Sequence, residues 1–446
     1  MIESTIKEYQ FEKNPHQKVQ VVTADSFDEL NFLEPEFDPE SFDKLKDLYV
    51  DYIIKKYKII FGKIILFYLP DDIDFDFEDE DKEYGHIYDE LTRCAIAFRK
   101  HIHLKDGKLD FDDERIHSLY DKLVKRNCLV FAQGDRNNLT ILPVGKRFGF
   151  LSKSKTDAKL KVNANFFVMD MFDCGSIYDQ ISTPLGLCVK KGNIISPPLF
   201  DREVLVYKNK KTSIERISLK DITVTIDNKD YHHNDNAVFY SRPKHKKTPM
   251  GGFDIIIVKD RIVACKKDGD SYIPSCGFIL HLENEIKIND LDVKYSGLED
   301  IDFAIQVGNS TIIDNKITDH FISPFYNFLN PFDRVSYPPS MYPLKFKKDR
   351  APRIVLGSTQ DDKPMILWLE GAAKFGHNPL TDSCGVSLSE TTYICADLKM
   401  KNGIHLDGGG SAQIILNNKK YLMISDRKKE GFEENERAVP MGLYIK

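Results

Sequence analysis

A short apolar stretch running into an acid, three consecutive glycines and a hydroxyl, Ile404-His405-Leu406-Asp407-Gly408-Gly409-Gly410-Ser411, constrains this chain more than any other segment. Residues without a Cβ let several backbone N–H groups approach an anion or a sugar closely. Asp407 stands at the mouth of that turn, where a strand would deliver a carboxylate to a cleft. A glycine-rich turn alone more often holds no ligand. Its meaning therefore depends on the segments that accompany it.

Those segments have a β texture. From about residue 127 onward the chain reads as short β-type runs broken by turns, among them Leu129 to Ala132, Val204 to Tyr207, Phe253 to Val258, Gly277 to Leu282 and Met365 to Leu369. One helix is predicted over Leu388 to Met400, opened by Ser387 or Ser389 and closed by Asn402-Gly403. The front of the chain reads differently. Apolar residues recur at helical spacing around 39–57 (Phe42, Leu45, Leu48, Tyr49, Tyr52), around 87–98 and around 116–124. The expected fold class is α+β: a strand-rich domain over 127–446, preceded by a smaller, mixed and rather helical N-terminal domain over 1–126.

Four further motifs precede the glycine turn: Lys161-Val162-Asn163-Ala164-Asn165-Phe166-Phe167, Thr183-Pro184-Leu185-Gly186-Leu187, Ala351-Pro352-Arg353-Ile354-Val355-Leu356-Gly357 and Leu367-Trp368-Leu369-Glu370-Gly371. In this order, and ending in DGGGS, residues 127 to 446 resemble the phosphodiester glycosidase family. Members of that family read N-A-G-F-F, P-x-G-L, P-R-T-x-x-G, D-G and N-L-D-G-G-G-S. This chain departs from the pattern at Asn165, Ile354, Glu370 and His405. The resemblance implies a hydrolase that cleaves the glycosidic C–O bond of a sugar-1-phosphodiester, such as an N-acetylglucosamine phosphodiester or a nucleotide sugar. The alternatives are a phosphodiesterase that cuts P–O, and a sugar-phosphate binding module without catalysis.

The chemistry of such a substrate suggests roles for particular residues. An anionic phosphodiester needs donors, and Arg353 offers a planar fork for its oxygens. The Gly408, Gly409 and Gly410 backbone and Ser411 would hold the same group. Cleavage at the anomeric carbon builds oxocarbenium character that a carboxylate stabilises or attacks. Asp407 is the first choice for that role, with Glu370 as the second acid. His405 lies on the same face of an alternating strand as Asp407 and could donate to phosphate or shuttle a proton. Asn163 is a candidate sugar ligand through its donor and acceptor groups, whereas Asn165 is read as a second ligand or a keeper of the turn.

Composition narrows the setting. A net charge of −6 gives no electrostatic case for nucleic acid. The expected partner is a small-molecule or glycan phosphodiester. No run is long and apolar enough to span a bilayer, and Met1 to Lys7 shows no secretory signal. Eight cysteines without a CxxC pair suggest neither zinc nor redox chemistry, and a cytoplasmic location is expected. No cofactor is expected, although calcium stays open because acids from Asp72 to Glu83 follow an EF-hand-like spacing with Phe77 where glycine is needed. His232-His233 is read as part of a polar loop rather than a metal site.

Overall fold

A computed structural model describes residues 1–11, 16–35, 149–168, 183–318, 350–371, 383–426 and 434–446, save 156, 243, 244 and 435, together with Glu114 and four short strands between 102 and 144. Its centre is a seven-stranded antiparallel sheet in the order Ile2–Tyr9, Gln17–Ala24, Pro364–Leu369, Arg353–Ser358, Asn402–His405, Ser310–Ile313 and Lys316–Ile317. Every residue of the Arg353–Ser358 strand is buried, because both faces of the sheet are covered. On one face Ile354, Leu356, Ile366, Trp368, Ile404 and Leu406 join a large apolar cluster. On the other, Val19, Val21, Val355, Leu367 and Leu369 meet Ile394 and Cys395. Those two residues belong to the helix Leu388–Asp397, whose Ser387 cap and Glu390 form a reciprocal capping box.

Three more sheets contribute to the core. A four-stranded sheet, Ile414–Leu416, Leu160–Asn163, Gly442–Ile445 and Asn31–Leu33, contributes Leu160, Val162, Ile414 and Leu443 to the cluster that contains Trp368. A five-stranded sheet includes Arg202–Lys208, where Leu205 and Tyr207 enter that cluster while Val204 and Val206 enter a second one. This is the alternation that a two-residue side-chain period demands. The second cluster also takes Phe253, Ile255, Ile257, Phe278 and Leu280 from the antiparallel sheet Val238–Ser241, Gly277–Leu282, Met250–Val258 and Arg261–Gly269.

The expected helical N-terminal domain is not what the structure shows. Ile2–Tyr9 and Gln17–Ala24 are strands, and the second pairs with Pro364–Leu369 from Val19 opposite Leu369 to Thr23 opposite Met365. Asn31–Leu33 pairs with Gly442–Ile445. Ile102–Lys105 with Lys108–Phe111, and Cys128–Gln133 with Leu139–Val144, are antiparallel hairpins. The fold is strand-dominated, with multiple antiparallel sheets. The physical reason is non-local: Lys18-Val19-Gln20-Val21-Val22-Thr23 is a β-branched run whose partner lies some 340 residues downstream, so helix-spaced residues after Pro39 outweighed it in a linear reading. The helical patterns at 39–57 and 87–98, that around 116–124, and the acidic segment at 72–83 lie outside the described residues.

Trp368, fully buried between the seven-stranded sheet and the cluster it faces, tests this arrangement. Trp368→Ala is expected to lower unfolding stability by about 3–5 kcal/mol. Chemical denaturation followed by circular dichroism measures it, and a change below about 1 kcal/mol would contradict so dense a packing role.

Candidate active site

The position of Asp407 is set by strand register. Val355 lies opposite His405, and the Leu406 amide donates to the Ile354 carbonyl at 3.0 Å, carrying the ladder past the strand end. Continued by one step, the register brings Asp407 level with Arg353. Opposed and alternate residues share a face, so Arg353, His405 and Asp407 are directed to one side of the sheet. The Asp407 amide then donates to the Ala164 carbonyl at 2.8 Å, which ties the start of the turn to the neighbouring sheet.

Three glycines follow, each for its own reason. A Cβ on Gly408 would press on the Pro352 carbonyl oxygen, and the Gly409 amide donates to that same oxygen at 2.9 Å. Gly409 has φ +60°, in the left-handed region, and the place its side chain would occupy is open space. A Cβ on Gly410 would overlap the Asp426 carboxylate and the Arg437 guanidinium. The turn is closed by the Ser411 and Ala412 amides, which donate to the Gly408 and Gly409 carbonyls at 3.2 and 3.1 Å. Asn163 braces it from below: its Nδ2 donates to the Asp407 carbonyl at 2.7 Å, and its Oδ1 accepts from the Gln413 amide at 2.9 Å.

Burial decides the charge state of the titratable groups. Asp407 is 9% exposed, and loss of solvent pushes its carboxyl up to about 7. The Ser411 side chain, the Arg437 charge and the Gly408 amide pull it down, while Asp426 pushes it further up. A carboxyl poised near neutrality in a buried site is a candidate acid–base group. His405 is moved the other way: burial, aided by the Arg353 charge, lowers its imidazole to about 3. It is therefore uncharged at neutral pH and can act on an anion only as an N–H donor, not as a cation.

The remaining sequence candidates are placed as follows. Glu370 is fully buried, one step beyond the Pro364–Leu369 strand. Its Oε2 accepts from the Ser383 hydroxyl at 2.7 Å and its Oε1 from the Met423 amide at 2.9 Å. Both oxygens thus clamp segments around the site. Asn165 donates to the carbonyls of Leu185 at 3.0 Å and Gln306 at 3.4 Å, with its Oδ1 accepting from the Cys188 thiol, and its φ is not positive. It holds the turn that leads to Gly186. His233 accepts the Phe239 amide while His232 meets Thr223, so the two imidazoles do not converge. Among the described residues no group of three or more His, Cys, Asp or Glu could hold a metal ion, and no helix is long and apolar enough to cross a membrane.

Two residues at the site carried no sequence signal. Arg437 donates through Nε at 2.9 Å to Asp426 Oδ2, and its Nη2 lies 2.7 Å from the same oxygen. Neither residue sits in a recognisable motif, although the glycine at 410 is the trace they leave. The structure brings Arg353, His405, Asp407, the three glycines and Ser411 together with this pair.

A family model for the phosphodiester glycosidases matches residues 236–446, which contain Arg353, Glu370, His405 and the whole glycine turn. Over that stretch the chain is similar to the phosphodiester glycosidase family. The Asn163 and Asn165 segment lies upstream of the matched residues. Comparison with curated proteins gives no match. Among solved structures, the chain is similar to a hypothetical protein from Synechocystis, at 13% identity and a TM-score of 0.43, covering 100% of this chain and 62% of that one. It is also similar to the zebrafish N-acetylglucosamine-1-phosphodiester alpha-N-acetylglucosaminidase catalytic domain auto-inhibited by pro-peptide, at 10% identity and a TM-score of 0.40, covering 100% of this chain and 82% of that one. This chain thus spans less than two thirds of the Synechocystis protein's length.

The family domain's buried acid has a stability signature. The folded-state pKa of Asp407 is raised above its unfolded value, so between about pH 4 and 7 the folded state holds a proton that the unfolded state has lost. Wild-type stability contributed by this group is therefore full below about pH 4, falls as pH rises towards 7, and is level above it. Asp407→Asn removes the ionisation and is expected to be more stable than wild type at pH 8, by up to about 4 kcal/mol at 1.36 kcal/mol per pH unit. The gap should close as pH is lowered to 4. Thermal melts of both proteins across that range provide the check, and a gap independent of pH would place Asp407 in solvent.

Proposed function

We propose that the chain hydrolyses the glycosidic C–O bond of a sugar-1-phosphodiester, with Asp407 as the carboxylate that acts at the anomeric carbon. One observation carries this reading: the register that places Asp407 level with Arg353 at the foot of the glycine turn. An acid, a permanent cation and a strip of backbone beside open space at Gly409 are the parts such a substrate requires.

The phosphodiester would lie with its anionic oxygens toward Arg353, whose guanidinium can pair two of them, and toward the Gly408 to Gly410 backbone. Phosphate leaves readily, so the larger demand is on the positive charge that grows at the anomeric carbon. Ionised Asp407 meets that charge in a site poor in water, where electrostatic stabilisation is stronger than in solution. His405, neutral, would add an N–H donor to the phosphate side without adding charge. Asn163 serves by holding the Asp407 carbonyl and the Gln413 amide, which fixes the turn that presents the acid. Glu370 clamps the Ser383 and Met423 segments behind it. Cys188, Cys265, Cys276, Cys384 and Cys395 are free thiols, which suits a reducing compartment such as the cytoplasm.

Because the ionised form of Asp407 is the working one, kcat/KM is expected to rise with pH through an apparent pKa near 7 and to level off above it. Asp407→Asn should cost about 10²–10⁴-fold in kcat/KM. The deciding experiment is hydrolysis of UDP-N-acetylglucosamine and related glycosyl phosphodiesters in ¹⁸O-labelled water. Label in the released sugar, lost with Asp407→Asn, supports C–O cleavage. Label in the phosphate would move the protein to the P–O phosphodiesterases. Binding without turnover of any glycosyl phosphodiester would make it a sugar-phosphate binding module.

A further inference from the structure

We propose that Arg437 and Asp426 form a positioning pair for Asp407, a tethered ion pair that seats the glycine turn and whose two opposite charges both act on that carboxyl. The proposal rests on Asp407 as the working carboxyl. Its own ground is the packing at Gly410, where the pair occupies the volume that any side chain would need. Arg437 grips a single oxygen of Asp426 with two nitrogens, at 2.9 and 2.7 Å, so the two move as one unit. The unit comes from the C-terminal segment, whereas Asp407 follows the Asn402–His405 strand, so the pair joins two parts of the chain at the turn.

The charges on the two members act on Asp407 in opposite senses, Arg437 favouring its ionised form and Asp426 its neutral form. Among the described residues, the site also holds Arg353 from the adjacent strand, the uncharged His405 two residues before Asp407, and the Ser411 hydroxyl within the turn. Burial is the main reason the Asp407 carboxyl lies near neutrality, and the two charges of the pair adjust it from there in opposite directions.

The test is a direct titration that needs no turnover. Full-length protein labelled at aspartate carboxyl carbons is followed by ¹³C NMR against pH, with the Asp407 resonance assigned by its loss in Asp407→Asn. Arg437→Met is expected to raise the Asp407 midpoint by about one pH unit and Asp426→Asn to lower it, the size expected when one charge that acts on a buried carboxyl is removed. Arg437→Lys, which keeps the charge, should stay near wild type. Midpoints that do not move, or that move in the same direction in the Met and Asn variants, overturn the proposal. If Arg437→Met fails to fold, the near-isosteric Asp426→Asn decides, since a rise in its midpoint has the wrong sign. Opposite shifts in a protein that hydrolyses no glycosyl phosphodiester would sink the hydrolase reading and leave the coupling standing.

Discussion

The antiparallel pairing of Arg353–Ser358 with Asn402–His405 is the constraint on which the rest of the site depends. It is a central pairing, buried on both faces, so neither strand can slip without moving Ile354 and Leu356 out of one cluster and Val355 into it. A slip of one residue would also turn Asp407 and His405 to the opposite face from Arg353. Apolar packing therefore holds the polar residues in place, although none of them contributes to that packing. The chain's ends reinforce it: Gln17–Ala24 closes on Pro364–Leu369, and Gly442–Ile445 pairs with the Leu160–Asn163 strand that carries Asn163.

On that frame the glycine turn is bound from three sides. Pro352 supplies the carbonyl beneath Gly408 and Gly409, Asn163 bridges Asp407 and Gln413, and Arg437 with Asp426 fills the space over Gly410. Of the three glycines, Gly409 alone has no described residue against the place of its side chain. The turn is thus rigid where it meets protein and bare where a ligand can approach. That combination suits preorganised binding, because little reordering of the backbone is left for the ligand to impose.

The sequence made some of this legible and concealed the rest for physical reasons. Ser387 announces its helix because a capping box is local, three residues in span. Asp407 and the glycines were visible because a turn with close backbone approach excludes almost every other residue type. Arg353 stood out through its proline neighbour and the family pattern. Glu370 shows the opposite case: its place beside a glycine suggested chemistry, yet its partners Ser383 and Met423 come from loops that no linear pattern associates with it. Asn163 was legible as important, while its engagement with backbone on both side-chain atoms was not. Asp426 and Arg437 were invisible, since an ion pair eleven residues apart follows neither helical nor strand periodicity. The front strands were missed because a β-branched run declares a strand but not its partner.

The energetics of this arrangement favour function over stability. Burying Asp407 raises its carboxyl to about 7, which disfavours the ionised form it would hold in water, and burying His405 beside Arg353 lowers its imidazole to about 3, which keeps it uncharged. Such shifts work against folding at neutral pH in the case of the acid, and the two apolar clusters around the central sheet must offset them. A fold that merely needed a turn at 408–410 could have put a solvated Asn or Ser at 407 and avoided the cost. Holding an acid there, with an arginine level with it, suits the proposed function, in which the site meets a negative charge on one side and a developing positive charge on the other. A glycosyl phosphodiester in the course of C–O cleavage presents that pair of charges together.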